Sequence, residues 1–243
     1  MAHRAFGRAG DGKVGVLCVH GIQGSPEQFR WLSEQLPEAV GFRAVLLPGH
    51  GGDVADFRRA GNAEWQMYVY DIAQQTAREF RRVIFVGHSM GCLLGLNAQW
   101  LYGSFSGMLL LACPLALHFT PRYIHHNWLA PMLGRSKNPF VRAATEANSV
   151  SARCPLEYMT AVHPYIELLK LIRECKGVMM EPRVAAAAVY SERDEIVSPR
   201  AMDVLREGTG IESVIAPGCG HDYYNEEGRD IIMELMEALI AGR

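Results

Sequence analysis

The stretch that most constrains the fold of this chain runs from Arg82 to Leu94. It reads Arg-Val-Ile-Phe-Val-Gly-His-Ser-Met-Gly-Cys-Leu-Leu, so a β-branched and aromatic run enters Gly-x-Ser-x-Gly and an apolar run leaves it. This pattern predicts a strand, a sharp turn and a helix, with the Ser89 hydroxyl lifted above the sheet edge. Gly87 and Gly91 are needed because a Cβ at either position would collide with the neighbouring strand or helix. Since three fixed positions also match by chance, the partners of Ser89 must decide whether it is a nucleophile.

Length and composition predict one globular chain. The 243 residues are enough for a single large core, and 49% are hydrophobic and 21% charged. The net charge of −2 argues against a nucleic-acid partner. No apolar run reaches about 18 residues, so we expect no transmembrane segment. Residues 1–13 lack the apolar stretch of a secretory signal, which predicts a cytoplasmic protein whose six scattered cysteines are reduced and hold no zinc.

Strand-like and helix-like runs alternate along most of the chain. We predict strands at 14–19, 42–47, 83–86, 107–111, 185–190 and 213–216, and helices at 26–36, 62–80, 89–101, 199–207 and 225–241. The alternation predicts an α/β fold with a doubly wound, mostly parallel sheet. Residues 1–12 are expected to be a flexible lead-in. Ser25 is predicted to cap the first helix, with Gln28 as its capping-box partner.

The alternation is interrupted between residues 115 and 184. This segment is expected to form short helices and loops inserted between a core of residues 1–114 and 185–243, with its best helix from Leu156 to Lys176. Residues 115–183 contain nine Lys/Arg and five Asp/Glu, although the whole chain is slightly acidic. That asymmetry fits a solvated surface or an anion-binding one, and the sequence leaves both open.

A serine hydroxyl becomes a good nucleophile only when a base takes its proton and a carboxylate orients that base. In an open parallel sheet these groups lie on loops at the carboxyl ends of strands. Asp194 follows the strand at 185–190, and His221 lies in Gly-Cys-Gly-His-Asp before the last helix. We therefore predict the catalytic set Ser89, Asp194 and His221; Glu192 and Glu195 are neighbours that could be mistaken for the acid.

The remaining histidines have simpler interpretations. His20 and His50 adjoin glycine turns and are expected to hold loops together by hydrogen bonds, while the His88 side chain should point away from Ser89. His125 and His126 form a conceivable metal pair, but no metal site is predicted.

An acyl-transfer intermediate needs two N–H donors aimed at its oxyanion. The first predicted donor is the backbone of Met90, the residue after the nucleophile. The second should come from the glycine-rich loop at residues 20–24, which follows a strand end, and Ile22 is the preferred residue there.

Five motifs together resemble one known family. They are His20-Gly21-Ile22-Gln23-Gly24-Ser25-Pro26, Pro48-Gly49-His50-Gly51, Gly87-His88-Ser89-Met90-Gly91, Asp194-Glu195-Ile196-Val197 with Pro199, and Gly220-His221-Asp222. On these residues the chain resembles the α/β-hydrolase superfamily, and most closely the small carboxylesterases and monoacylglycerol lipases of bacteria. The resemblance implies that residues 115–184 form a small helical cap over the acyl pocket, inserted after the sixth strand of the family's usual sheet. Glu192 and Arg193 depart from the family pattern, which often has a glycine and a small or polar residue there.

These observations predict a serine hydrolase of carboxylic esters that needs no cofactor and acts on a small-molecule ester with a hydrophobic acyl chain. The apolar residues Trp128, Leu129, Met132 and Leu133 could line the acyl pocket or simply pack on the core. A thioesterase, lysophospholipase or amidase could use the same three residues. A slow-turnover ligand-binding protein, or a cofactor-free haloperoxidase or lyase, stays open as well. The oligomeric state is not predicted.

Overall fold

A computed structural model describes residues 3–118, 120–121 and 136–242. Its sheet has seven strands in the order β1-β3-β2-β4-β5-β6-β7. β1 pairs with β3 antiparallel and every other pairing is parallel. The strands are β1 (Phe6–Arg8), β2 (Val14–Val19), β3 (Gly41–Val45), β4 (Arg82–His88), β5 (Gly107–Leu111), β6 (Ala185–Ser191) and β7 (Ser213–Ala216). The predicted α/β fold with a mostly parallel sheet is therefore confirmed.

The helices of the described residues follow the predicted alternation. They are α1 (Arg30–Gln35), α2 (Val54–Phe57), α3 (Asn62–Glu79), α4 (Met90–Tyr102), α5 (Pro139–Ala147), α6 (Val162–Val178), α7 (Arg200–Thr209) and α8 (Glu226–Ala241), with 3₁₀ helices over Pro26–Phe29 and Pro155–Thr160. None of them combines the length and the hydropathy that crossing a bilayer requires.

Helices cover both faces of the sheet, as a doubly wound fold requires. Side chains of α3, α4, α6 and α7 pack on one face, around Trp65 and Phe85. Side chains of α1 and α8 pack on the other face, around Ile84 and Met236. Ile84 and Phe85 are consecutive residues of β4 and are both fully buried, because successive side chains of a strand point to opposite faces. β4 thus lies in the middle of the core, which fixes the position of the residues that follow it.

The first strand is a correction to the predicted flexible lead-in. Phe6–Arg8 adds an antiparallel edge strand to β3. The Arg8 guanidinium donates hydrogen bonds to the carbonyl oxygens of Val40, Ser33 and Leu36, at 2.9, 2.6 and 2.9 Å. A strand of three residues gives almost no sequence signal, and these contacts between distant residues are what order it.

The helix predicted over Leu156–Lys176 is in fact two helices. A 3₁₀ helix ends at Thr160 and α6 begins at Val162, with Ala161 between them at φ −92° and ψ 41°. Pro164 explains the break, because its ring would clash with the carbonyl group four residues earlier in a continuous helix. Beginning the helix at Val162 places Pro164 in the first turn, where its missing N–H costs nothing.

The described part of the predicted insertion, residues 115–118, 120–121 and 136–184, contains α5, the second 3₁₀ helix and α6. His125, His126, Trp128, Leu129, Met132 and Leu133 lie outside the described residues. The division into core and cap stays a prediction.

The turn after β4 leaves no room for a side chain at Gly91. A Cβ there would overlap the carbonyl oxygen of Val19, the last residue of β2, and lie 2.9 Å from that of His20, which follows it. We expect Gly91→Ala to lower the free energy of unfolding by about 3 kcal/mol, the upper range for forced overpacking. Urea denaturation followed by circular dichroism measures this change.

Gly177 provides the matched control. It lies in α6, and a Cβ there would meet nothing within 4 Å. Gly177→Ala should therefore leave stability unchanged or raise it by up to about 1 kcal/mol, through helix propensity. Equal destabilisation by both variants would contradict the packing argument.

Candidate active site

The candidate nucleophile lies on a strained turn between β4 and α4. Ser89 has φ 50° and ψ −120°, a conformation that residues other than glycine rarely adopt. Its N–H donates to the carbonyl oxygen of Leu111 on the neighbouring strand at 2.8 Å, and its own carbonyl accepts from the N–H of Cys92 at 2.9 Å. The surrounding structure therefore holds the strained backbone in place. The Ser89 side chain is nearly buried and faces a cavity at the carboxyl end of β4.

The structure brings Asp194 and His221 into direct contact. Their loops follow β6 and β7, and the Asp194 Oδ2 atom lies 3.0 Å from His221 Nδ1. Asp194 Oδ1 also accepts hydrogen bonds from the N–H groups of Ile196 and Val197, at 2.8 and 2.7 Å. These bonds fix the carboxylate so that it orients the imidazole with Nδ1 protonated, which leaves Nε2 as the basic nitrogen.

Ser89 and His221 line the same cavity, of about 130 Å³. The hydrogen bonds of the described residues do not include one from Ser89 Oγ to His221 Nε2. Such bonds are often long until a substrate is bound. The arrangement therefore places the candidate nucleophile, base and orienting acid around one cavity.

Two further residues hold the His221 backbone, and the sequence analysis missed both roles. His221 N–H donates to the Oε2 atom of the buried Glu195 at 3.2 Å. The carbonyl oxygen of His221 accepts from His88 Nε2 at 2.8 Å, so the His88 side chain packs on the histidine loop. Sequence alone marked Glu195 only as a neighbour of the acid, and this contact joins residues 26 positions apart.

The glycine-rich loop at residues 20–24 is fixed by the two histidines predicted to hold it. His20 Nε2 accepts from the N–H of Leu47 at 3.0 Å, and His50 Nε2 accepts from the N–H of Gln23 at 3.0 Å. Burial lowers the pKa of His20 well below its ordinary value and that of His50 to about 4. Both rings therefore stay neutral at physiological pH, as an accepting ring nitrogen requires.

Ile22 lines the cavity beside Ser89, and Met90 is the first residue of α4. Within the described residues, the N–H groups of Ile22 and Met90 donate no hydrogen bond. A Cβ on Gly21 would lie 2.9 Å from Ser89 Cβ, so the loop approaches the candidate nucleophile closely. Both predicted donors thus belong to segments that meet at Ser89.

The predicted capping box at Ser25 is wrong. The Ser25 side chain caps no helix, and Gln28 Nε2 instead donates to Asp222 Oδ1 at 2.9 Å. Since Gln28 and Asp222 are 194 positions apart, this contact ties the segment after the glycine-rich loop to the residue after His221. No local pattern could have indicated it.

Four ionisable side chains surround His221 or adjoin it: Asp194, Glu195, Asp222 and His88. Burial lowers the pKa of the His221 imidazole, but the carboxylates of Asp194, Asp222 and Glu195 outweigh burial and raise it to about 9. Burial raises the pKa of Asp194, yet His221 and two backbone N–H groups hold it below its ordinary value. Burial lowers the pKa of His88 to about 3, so this ring stays neutral. The site thus favours an imidazolium beside a carboxylate, the charge state that forms when the base takes a proton.

This electrostatic environment predicts a pH profile displaced to the alkaline side. The base must be neutral to accept a proton, so kcat/KM should fall as the pH drops below the pKa of His221. Because the carboxylates raise that pKa, we expect the midpoint of the acid limb to lie above 6.5, the ordinary histidine value.

The Asp222→Asn variant tests whether the charge of Asp222 raises the pKa of His221. Asparagine keeps an acceptor for Gln28 Nε2 and removes one of the negative charges that raise the pKa of His221. The acid limb measured on p-nitrophenyl butyrate should therefore move to lower pH in the variant. An acid limb with an unchanged midpoint would show that the charge of Asp222 does not raise the pKa of His221.

One group of described residues could hold a metal ion. Ligand atoms of His88, His221 and Asp222 lie within 4.8 Å of one another. His221 is also the residue that Asp194 orients through Nδ1, so a metal ion here would compete with its role as a base. The absence of a metal site remains a prediction from the sequence.

Known proteins are similar to this chain over most of its length. A thermostable monoacylglycerol lipase from Bacillus sp. (strain H-257) is 25% identical over 213 residues, which is 82% of this chain and 78% of the lipase. Two solved structures superpose on the whole chain. One is from a study of the metagenome-derived lipolytic enzymes LipS and LipT, with a TM-score of 0.76, 20% identity and 98% of its length covered. The other is the Paleococcus ferrophilus monoacylglycerol lipase, with a TM-score of 0.74, 18% identity and 100% of its length covered.

The family assignment rests on the sequence as a whole. The model of the alpha/beta hydrolase family matches residues 16–234, which include Ser89, Asp194 and His221. With the sheet order and the turn at Ser89, this match shows that the chain belongs to the alpha/beta hydrolase family.

Proposed function

We propose that this protein is a serine hydrolase of carboxylic esters, with Ser89 as nucleophile, His221 as general base and Asp194 as its orienting acid. The observation that carries the proposal is the 3.0 Å contact between Asp194 Oδ2 and His221 Nδ1, at a cavity that Ser89 also lines. A buried carboxylate bonded to a buried imidazole beside a strained serine is the arrangement that acyl transfer needs.

The reaction follows from the roles of the three side chains. His221 Nε2 takes the hydroxyl proton as Ser89 Oγ attacks the ester carbonyl, and Asp194 stabilises the resulting imidazolium. The proton then passes to the leaving alcohol, and an acyl-enzyme remains on Ser89. His221 next activates a water molecule that releases the acid. The N–H groups of Ile22 and Met90 hold the oxyanion in both steps. Stabilisation of a developing oxyanion by such donors is usually the largest single contribution to the rate enhancement.

The proposed substrate is an uncharged ester with an apolar acyl chain, of the monoacylglycerol class. Leu117, Leu168, Ile196 and Tyr165 line the cavity at Ser89 and give it a largely apolar wall. The monoacylglycerol lipase that is 25% identical to this chain over 213 residues supports the same substrate class. We further propose that the protein acts in the cytoplasm and that residues 115–184 form a cap over the acyl chain.

The test is steady-state hydrolysis of p-nitrophenyl esters from acetate to laurate and of 1-monoacylglycerols. Protein fully modified by a fluorophosphonate is the matched control, and mass spectrometry identifies the modified residue. We expect saturable turnover, complete loss of turnover on modification, and the added mass on the peptide that contains Ser89.

The other candidates predict different results. A thioesterase would hydrolyse acyl-coenzyme A thioesters with a higher kcat/KM than the matching oxygen esters. A lysophospholipase would prefer substrates that carry a phosphate group. Absence of both turnover and labelling would overturn the proposed hydrolase and favour a ligand-binding role.

A further inference from the structure

α6 (Val162–Val178) presents a solvent-facing stripe that nothing in the proposed reaction uses. The stripe consists of Val162, Ile166, Leu169, Arg173 and Lys176, at positions i, i+4, i+7, i+11 and i+14, so all five lie along one side of the helix. The first three side chains are 56%, 47% and 54% exposed, although aliphatic residues of this size are normally buried.

Two more large apolar side chains are exposed in the 3₁₀ helix just before α6. Leu156 and Met159 are 70% and 64% exposed, and they precede Val162 by six and three positions. Five large apolar side chains are thus exposed within 14 consecutive residues. Contiguous exposed apolar surface of this kind marks an interaction site more often than chance.

The charged residues of the stripe itself, Arg173 and Lys176, are both positive. Within the described residues, Arg173 and Lys176 form no ion pair. Of the neighbouring carboxylates, Glu167 pairs with Lys170 at 2.6 Å. Glu174 keeps its negative charge, lies off the stripe and accepts a hydrogen bond from Asn62 Nδ2 at 2.7 Å. The stripe therefore joins an apolar half to a basic half. Such a stripe complements a surface in which an apolar layer lies beneath a layer of negative charges.

The side of the same helix that carries Leu168 faces the candidate active site. Tyr165 and Leu168 line the cavity beside Ser89. Leu171 and Cys175 are buried in the main core, so α6 is held firmly. The stripe is therefore carried by the same helix as two residues of the cavity wall, and Tyr165 borders it.

We propose that the α6 stripe docks the protein onto an anionic lipid surface, with Val162, Ile166 and Leu169 inserted among the acyl chains and Arg173 and Lys176 at the headgroups. An apolar helix face flanked by Lys and Arg is the chemistry that binds a bilayer interface. The proposal rests on the proposed function for its purpose, which is to bring the cavity to a lipid-embedded ester. Binding itself is measured without turnover.

The experiment is co-sedimentation of the full chain with sucrose-loaded vesicles. One set contains phosphatidylcholine with about one-third phosphatidylglycerol, and the other contains phosphatidylcholine alone. We expect tighter binding to the anionic vesicles, with the difference reduced by 0.5 M NaCl. Neutralising the basic half with Arg173→Gln and Lys176→Gln should lower the partition coefficient about fivefold per charge. Removing the apolar half with Ile166→Ser and Leu169→Ser should lower it more than tenfold.

Ile215→Ser is the matched control, because Ile215 is 50% exposed on the edge strand β7, away from α6. It should bind vesicles as the wild type does. Thermal melting shows that each variant is folded. Three results would overturn the proposal: no wild-type binding to anionic vesicles, unchanged binding of the Ile166→Ser and Leu169→Ser variant, or light scattering that shows a wild-type dimer and a monomeric apolar variant. The last result would make the stripe a contact between two copies of the chain. If vesicles bind but no ester is hydrolysed, only the proposed function fails.

Discussion

Replacing Ser89 with alanine is expected to lower kcat/KM for p-nitrophenyl butyrate by about 10⁶-fold, and replacing His221 with alanine should have an effect of the same size. The two residues act as one unit, because His221 has nothing to deprotonate without the hydroxyl and the hydroxyl is a weak nucleophile without the base. The double variant should therefore be no slower than either single variant.

Ser25→Ala is the control for this experiment. Ser25 is fully buried beside the glycine-rich loop, and its hydroxyl has no hydrogen-bond partner among the described residues. Its removal should leave kcat/KM close to that of the wild type. Retention of even 1% of activity in Ser89→Ala would contradict the assignment of the nucleophile, and additive losses in the double variant would contradict their action as one unit.

Asp194→Asn is expected to lower kcat by about 10⁴-fold with little change in KM. The amide can donate to Nδ1 and so favours the tautomer with its proton on Nε2, which can no longer accept the serine proton. Asparagine also loses the negative charge that stabilises the imidazolium. The measurement is steady-state hydrolysis of the same ester at a pH above the acid limb.

Glu195→Gln separates this role from a general effect of charge. Glu195 adjoins Asp194, is equally buried, and binds the His221 backbone N–H through Oε2. Glutamine keeps an oxygen acceptor for that N–H, so the loss of activity should be small compared with that of Asp194→Asn. Similar losses in the two variants would show that Asp194 is not the distinct orienting acid.

Local patterns were sufficient to predict the candidate nucleophile, because the geometry of its turn is produced by neighbours in sequence. Residues 83–86 are all β-branched or aromatic, and the strand predicted there lies within β4 (Arg82–His88). The turn at Ser89 then follows from Gly87 and Gly91, where a Cβ would meet backbone at under 3 Å. The order Ser, Asp, His along the chain named the partners, and the contact of Asp194 with His221 agrees with that choice.

Tertiary structure decided what depends on residues far apart in the chain. β1 exists because Arg8 binds carbonyl groups more than 20 positions away, and its three residues carry no strand signal of their own. Gln28 matched a local capping pattern, yet its amide binds Asp222 across the site. Local propensity differs by a few tenths of a kcal/mol between such alternatives, and one charge-assisted hydrogen bond exceeds that difference.

The sequence by itself therefore determined the α/β architecture, the turn at Ser89 and the three candidate catalytic residues, because periodicity and glycine sterics act over a few residues. Only the tertiary structure decided which groups hold His221 in place, and that α6 turns its Tyr165 side to the cavity while its Ile166 side faces solvent. Those features depend on how elements pack across the sheet, and packing is a property of the whole chain rather than of any segment.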